Sequence, residues 1–163
     1  MKAVSVEAAM QHVPQTNEAG EIEGACHCGT VRFRVKLLDG FNTIRRCTCS
    51  YCRMRGAVAV SARVGDLSFR CGEEALTLYR FNTGVAEHYF CSKCGIYTHH
   101  RRRSKPGQYG VNVACLTGVS PFDFAEVPVL DGTNHPRDQG ADAPNAIIGY
   151  LRYVGADEIA PGS

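Results

Sequence analysis

Seven of the nine cysteines fall into three tight groups, CHC (Cys26, Cys28), CTCSYC (Cys47, Cys49, Cys52) and CSKCG (Cys91, Cys94). No other feature restricts the fold as strongly, because thiols at these spacings converge on a common partner and the intervening chain has to bring them there. Disulfides fit poorly: the cysteine total is odd and adjacent C-x-C bridges are strained. The N-terminal MKAVSVEAAMQHVPQTNEAG also lacks the continuous apolar segment of a secretory leader, so an oxidising compartment is not expected. Metal binding in a reducing compartment is the better reading.

The C-x-x-C-G knuckle at 91–95 presents two thiolates to one ion, with a glycine that lets the backbone turn its amides toward sulfur. CHC supplies the complementary pair, so Cys26, Cys28, Cys91 and Cys94 form a closed four-thiolate set of the structural kind. Reduced core cysteines are the alternative. Cys47, Cys49 and Cys52 are then left as three ligands, and a metal held by three protein ligands keeps a fourth position for water or substrate. The alternative is a structural site in which a distant residue such as Cys71, Cys115 or His88 closes the tetrahedron, and the same thiolates also suit iron. Arg45, Arg46, Arg53 and Arg55 flank the middle group, where they either offset excess thiolate charge, recognise a ligand's carboxylates, or stand in solvent.

A chain of 163 residues has room for one ordinary domain. We expect a poorly ordered lead-in over residues 1–21, with a short helix in VEAAMQ, and one domain over 22–163. Hydrophobic residues at 44%, charged residues at 21%, 17 glycines and no tryptophan favour a turn-rich β protein over a helical bundle. VRFRVK alternates Val31, Phe33 and Val35 with Arg32, Arg34 and Lys36, the period of a strand with one buried face. Further strands are predicted at AVAVSA, LSFRC, LTLYRF, AEHYFC, IYTHH and YGVNVACL, between turns bearing Gly, Asn or Pro. From residue 117 the proline-rich chain reads as loop, until AIIGYLRYV adds a segment that suits helix or strand. Cys71 and Cys115 read as core.

The ordered motifs GACHCGTVRF, CTCSYC, FCSKCG, VNVACL and DGTNHP resemble the glutathione-dependent formaldehyde-activating enzyme family, which also includes centromere protein V, over about residues 22–136. The resemblance implies an all-β Mss4-like fold of small antiparallel sheets around zinc-binding knuckles. It implies two Zn2+ per chain: a structural zinc on Cys26, Cys28, Cys91 and Cys94, and a catalytic zinc on Cys47, Cys49 and Cys52. The activity it implies is a carbon-sulfur lyase of the S-(hydroxymethyl)glutathione synthase type, with glutathione or a similar thiol and a small aldehyde as partners. Leu116-Thr117 departs from the family's common Leu-Asp, and Ile96 stands where Thr is common.

Glu87, His88, His99 and His100 are candidates for proton transfer beside such a site, and Asn112 either binds substrate or ties down a turn. A competing reading is a non-catalytic zinc module whose HHRRR run (99–103) and Lys105 form a basic edge for nucleic acid or an acidic protein, although a net charge of +2 is too small to argue by itself for a nucleic-acid partner. No apolar run is long enough for a membrane helix. The expected location is the cytoplasm.

Overall fold

The computed structural model describes residues 14–159. The expected VEAAMQ helix and the first thirteen residues of the lead-in therefore lie outside the described residues. In chain order the elements are β1 (Glu21–Ala25), β2 (Arg32–Leu37), β3 (Arg46–Cys47), the short helix α1 (Ser50–Arg55), β4 (Ala59–Cys71), β5 (Leu76–Tyr79), β6 (Glu87–Cys91), β7 (Tyr97–Arg101), β8 (Gln108–Asn112), β9 (Glu126–Leu130) and β10 (Ile147–Arg152). The chain is mainly β, as its short apolar runs predict. One sheet has the order β1-β2-β4-β8-β7-β6-β5, with every neighbouring pair antiparallel, and a smaller sheet has the order β10-β9-β3. Within the smaller sheet β9 and β10 are antiparallel, while β3 runs parallel to β9.

The alternation in β2 survives in three dimensions: Val31, Phe33 and Val35 are fully buried, and Arg32 and Lys36 are exposed. They pack with Val60, Val111 and Val113 in the main core. AVAVSA and LSFRC prove to be two halves of one thirteen-residue strand, β4. The polar residues between them do not break it, because the β2–β4 register shifts between Val35 and Leu37 and absorbs the irregularity. The segment beyond residue 117 is also not all loop. β9 holds Pro128, tolerated because β3 reaches only Val129 and Leu130 and leaves the strand an effective edge at the proline. AIIGYLRYV is strand over Ile147–Arg152.

Register decides which polar side chains share a face. Val60 pairs with Val111 and Val111 with His99, while one residue along Ser61 pairs with Gly110, Gly110 with His100, and His100 with His88. Successive residues alternate faces, so His99 turns to the apolar core and His88, His100 and Ser61 turn to the other side. That second face is covered by the chain leading into β3, where Arg45 and Ala59 exchange backbone hydrogen bonds at 2.9 Å. Gly110 is required by close approach: a Cβ there would lie 2.2 Å from His100 Cε1.

His99 is 2% exposed, stacked on Tyr89 at 4.7 Å with the planes 8° apart and edge-on to Tyr109 at 5.0 Å. Burial pushes its imidazole from the ordinary 6.5 down to about 4. The unfolded chain therefore takes up this proton first, so the stability contributed by the neutral ring is complete above pH 6.5 and is lost as pH falls toward 4. Replacing His99→Phe keeps an aromatic ring and removes the titration. Urea unfolding of the variant should show a flatter loss of stability across that window than the parent, and parallel curves would place the acid sensitivity elsewhere.

Candidate metal centres and the adjoining cavity

Cys26 and Cys28 follow β1, and Cys91 and Cys94 follow from the end of β6; the four sulfurs come within 4.8 Å of one another. Gly29 and Gly95, both at φ 74°, reverse the chain behind the two pairs in a left-handed conformation that glycine adopts without a side-chain clash. The turns aim backbone amides at sulfur, Val31 N to Cys26 Sγ at 3.3 Å and Lys93 N to Cys91 Sγ at 3.4 Å. Cys26 Sγ and Cys28 Sγ are 3.6 Å apart, and Cys28 Sγ and Cys91 Sγ 3.8 Å. A tetrahedron with metal–sulfur bonds of about 2.3 Å has edges of about 3.8 Å. These residues therefore fit a four-coordinate thiophilic ion.

Cys47 ends β3, Cys49 caps α1 and Cys52 lies in its first turn, so a strand end and one helical turn gather three sulfurs within 4.8 Å. Cys52 N donates to Cys49 Sγ at 3.4 Å and Cys49 N to Cys47 Sγ at 3.5 Å. Among the described residues no fourth His, Cys, Asp or Glu ligand joins this group. The residues suggested above as closing ligands are accounted for elsewhere: Cys115 is buried with its thiol directed to Tyr97 O, and His88 Nδ1 is held by Arg55. Cys71 is exposed at the end of β4, which corrects its reading as core, because the strand runs past the covered part of the sheet there.

The three sulfurs line a cavity of about 860 Å³, its open mouth included. Its walls come from β3, α1, β4, β6, β7 and β9 with the loop after it, and carry Arg45, Arg46, Arg55, Arg102 and Arg103 but, among the described residues, no carboxylate. Arg55 links the parts: Nη2 donates to Cys52 Sγ at 3.3 Å, Nη1 lies 3.1 Å from His88 Nδ1, and its guanidinium sits 3.5 Å over the Tyr97 ring. With Arg55 donating, His88 accepts at Nδ1 and keeps its hydrogen on Nε2. Burial, then the nearby Arg55 charge, pushes His88 down to about 4, and the same two causes take His100 well below 6.5, so both rings are neutral near pH 7. Burial, with Arg102 adding to it, also pushes Arg45 down to about 9. Hydrogen bonds from Cys47 and Cys52 pull the Cys49 thiol down, while those with Cys47 and Cys49 push Cys52 up, so the three thiols do not titrate independently.

His88 and His100 thus belong to the cavity, whereas Glu87 and His99 do not line it. Glu87 is paired with Arg80 and receives the Tyr89 hydroxyl. Asn112 ties down a turn, donating to Tyr97 O at 2.8 Å and accepting from Ala114 N at 3.1 Å. Neither Ile96 nor Thr117 lines the cavity. The HHRRR run forms no continuous basic edge: Arg101 bonds Pro106 O on the exposed side, Arg102 turns inward to Ser61 and Gln108, and Arg103 pairs with Asp138. Sequence reading missed Arg102 and His135 as cavity residues. The DGTNHP loop was the available signal for His135, while Arg102 looked like one member of a solvated run.

That loop also explains Gly132. A Cβ at this position would lie 2.3 Å from Cys47 Sγ and 2.7 Å from Cys49 N, so only glycine lets the loop close over the sulfurs. Gly132 N donates to Thr48 Oγ1 at 3.1 Å, and Thr48 N to Leu130 O at 3.1 Å, fixing the loop on β3.

Residues 21–125 match a family model described as glutathione-dependent formaldehyde-activating enzyme. A Halomonas elongata protein bearing that family name is 35% identical over 82 residues, an alignment covering 45% of this chain and 51% of the relative. The chain thus spans about half the length of that curated relative. A crystal structure of a Rhodobacter sphaeroides protein matches with a TM-score of 0.65 and 58% identity, over 66% of this chain and 99% of the other. The mainly antiparallel sheets carrying cysteine knuckles fit the Mss4-like fold.

Gly132→Ala should force the loop away from Cys47. Titration of the metal-free variant with Co2+ should then show one class of thiolate site weakened by about 10–100-fold, the scale of a lost supporting contact, with the other unchanged. Superimposable titrations of variant and parent would mean that the loop does not hold the three sulfurs in place.

Proposed function

The chain belongs to the glutathione-dependent formaldehyde-activating enzyme family, and from that premise we propose that it joins a thiol, glutathione or a close analogue, to formaldehyde or another small aldehyde. The observation that carries this reading is the inequality of the two cysteine sets: one has four sulfurs, and the other has three and lines a cavity. In the reaction the thiol sulfur bonds to the aldehyde carbon, the carbonyl π bond breaks, and the thiol proton ends on the new hydroxyl oxygen. Nothing is oxidised or reduced. The reverse direction cleaves a carbon–sulfur bond, which places the activity among the carbon-sulfur lyases.

We assign zinc to both sets, two ions per chain, with Cys26, Cys28, Cys91 and Cys94 structural and Cys47, Cys49 and Cys52 at the reacting site. The all-sulfur donor chemistry and the amides directed at those sulfurs support the assignment. Bound zinc would supply Lewis acidity and lower the pKa of a coordinated thiol. Arg55 holds the Cys52 sulfur in place and is itself fixed between His88 and Tyr97. His135 is a half-buried imidazole of the wall; its Nδ1 accepts Arg137 N at 3.2 Å, which leaves Nε2 to carry a proton between thiol and carbonyl oxygen. Alanine side chains at 57 and 59, with Leu130, keep the adjoining surface apolar and limit water.

We read residues 22–163 as one zinc-binding domain acting in the cytoplasm. All nine cysteines are free, which supports a reducing compartment, and no helix among the described residues is long and apolar enough to cross a membrane.

Cys49→Ser tests the assignment. Metal analysis of the parent should find two zinc ions per chain and of the variant about one. The variant should also lose the enzyme-dependent acceleration of adduct formation, followed by NMR exchange between glutathione and formaldehyde, while its circular dichroism stays that of the parent. A single zinc in the parent, or full acceleration by the variant, would refute the open-site reading.

A further inference from the structure

Arg45 and Arg102 line the cavity, and among the described residues neither takes part in an ion pair. The neighbouring cations are engaged: Arg55 by Cys52 and His88, and Arg103 by Asp138. Arg45 and Arg102 instead direct their Nη1 atoms at one neutral hydroxyl, Ser61 Oγ, at 2.9 and 3.2 Å. Their other partners are also uncharged: Thr43 O accepts from Arg45 at 2.9 Å, and Gln108 Oε1 from Arg102 at 2.8 Å. Arg45 is 9% exposed, and its Nη2 is buried without a hydrogen-bond partner.

Two converging guanidinium groups repel, and interior charge without a counter-charge is costly. Among the described residues no carboxylate lines this part of the wall. The three thiols do not answer the need by contact either, since the guanidinium that touches them belongs to Arg55. Arg45 is enclosed and acts as a fixed positive charge. Arg102 is only partly buried and presents the planar fork that matches a carboxylate.

We propose that Arg102, backed by the buried Arg45, is a carboxylate anchor, so that the substrate pair brought together beside Cys47, Cys49 and Cys52 includes an acidic molecule. This rests on the reading of the cavity as a thiol–aldehyde site. The acid belongs to the thiol, as in glutathione, or to the aldehyde, as in glyoxylate. Either source meets the same guanidinium. The anchor ties the acidic partner down at a distance from its reacting atom, which lowers the entropic cost of bringing sulfur and carbon together.

The test is calorimetric titration of the zinc-loaded full chain and of Arg102→Gln at low ionic strength, with glutathione, glutathione diethyl ester, cysteamine, glyoxylate and its methyl ester as probes. If the thiol carries the acid, the parent binds glutathione at least about tenfold tighter than the diester. Arg102→Gln then weakens glutathione by a similar factor and leaves the diester unchanged. If the aldehyde carries it, glyoxylate shows the Arg102 dependence and the thiols do not. Equal binding of glutathione and its diester, with glyoxylate indifferent to Arg102, overturns the anchor and leaves the thiol–aldehyde reading standing. Glyoxylate binding that depends on Arg102, with no thiol bound at all, supports the anchor and removes that reading instead. Glutathione against its diester, and glyoxylate against its methyl ester, are compared on the parent chain alone, so both arms are decided even if Arg102→Gln folds poorly.

Discussion

The antiparallel register joining β4, β8, β7 and β6 is the constraint on which the rest of the molecule depends. It puts Val60, Val111 and His99 on one face, and Ser61, His100 and His88 on the other. The first face becomes the apolar core with Phe33 and Val35, and the second becomes the floor of the cavity. A slip by one residue would exchange the two sets, exposing apolar side chains to the cavity and burying its polar ones. Gly110 belongs to this arrangement, since a side chain there would displace the His100 ring.

The two cysteine clusters sit at opposite kinds of chain connection. The four-sulfur set joins the end of β1 to the end of β6, with β2, β4, β8 and β7 between them in the sheet, and so ties the sheet across its width. The three-sulfur set is almost wholly local, made by a strand end and one helical turn, and a loop from beyond β9 closes over it. A site assembled locally needs little of the fold for its ligands and draws its surroundings from elsewhere. Those surroundings are the arginines, the neutral histidines and the DGTNHP loop.

Charge in the cavity is distributed by burial. The imidazoles of His88 and His100 are held neutral because they are out of water and beside Arg55. Guanidinium groups keep their charge under the same conditions because their pKa lies so far above neutrality, and even Arg45, pushed down to about 9, remains a cation. The cavity is therefore positive overall, with no carboxylate in its lining among the described residues. This polarity suits thiolates and an acidic guest, and it is built from side chains on the chain entering β3, on α1 and on the turn after β7.

The sequence by itself determined the cysteine groups and the class of fold. Cysteine spacing is a local property, and the alternation of Val31, Phe33 and Val35 with charged residues reports a half-buried strand without reference to any partner. The shape of the cavity was decided only in three dimensions. Glu87, His88, His99 and His100 look equivalent along the chain, and pairing across β6, β7 and β8 separates two of them from the site. Likewise Arg101, Arg102 and Arg103 read as one basic run, yet strand alternation and the turn after β7 send them to three different partners. The strand β9 was hidden because Pro128 argues locally against a strand, and only the shortness of β3 makes it tolerable. Ligand spacing is written between near neighbours in the chain, whereas the face a side chain occupies depends on a partner strand many residues away.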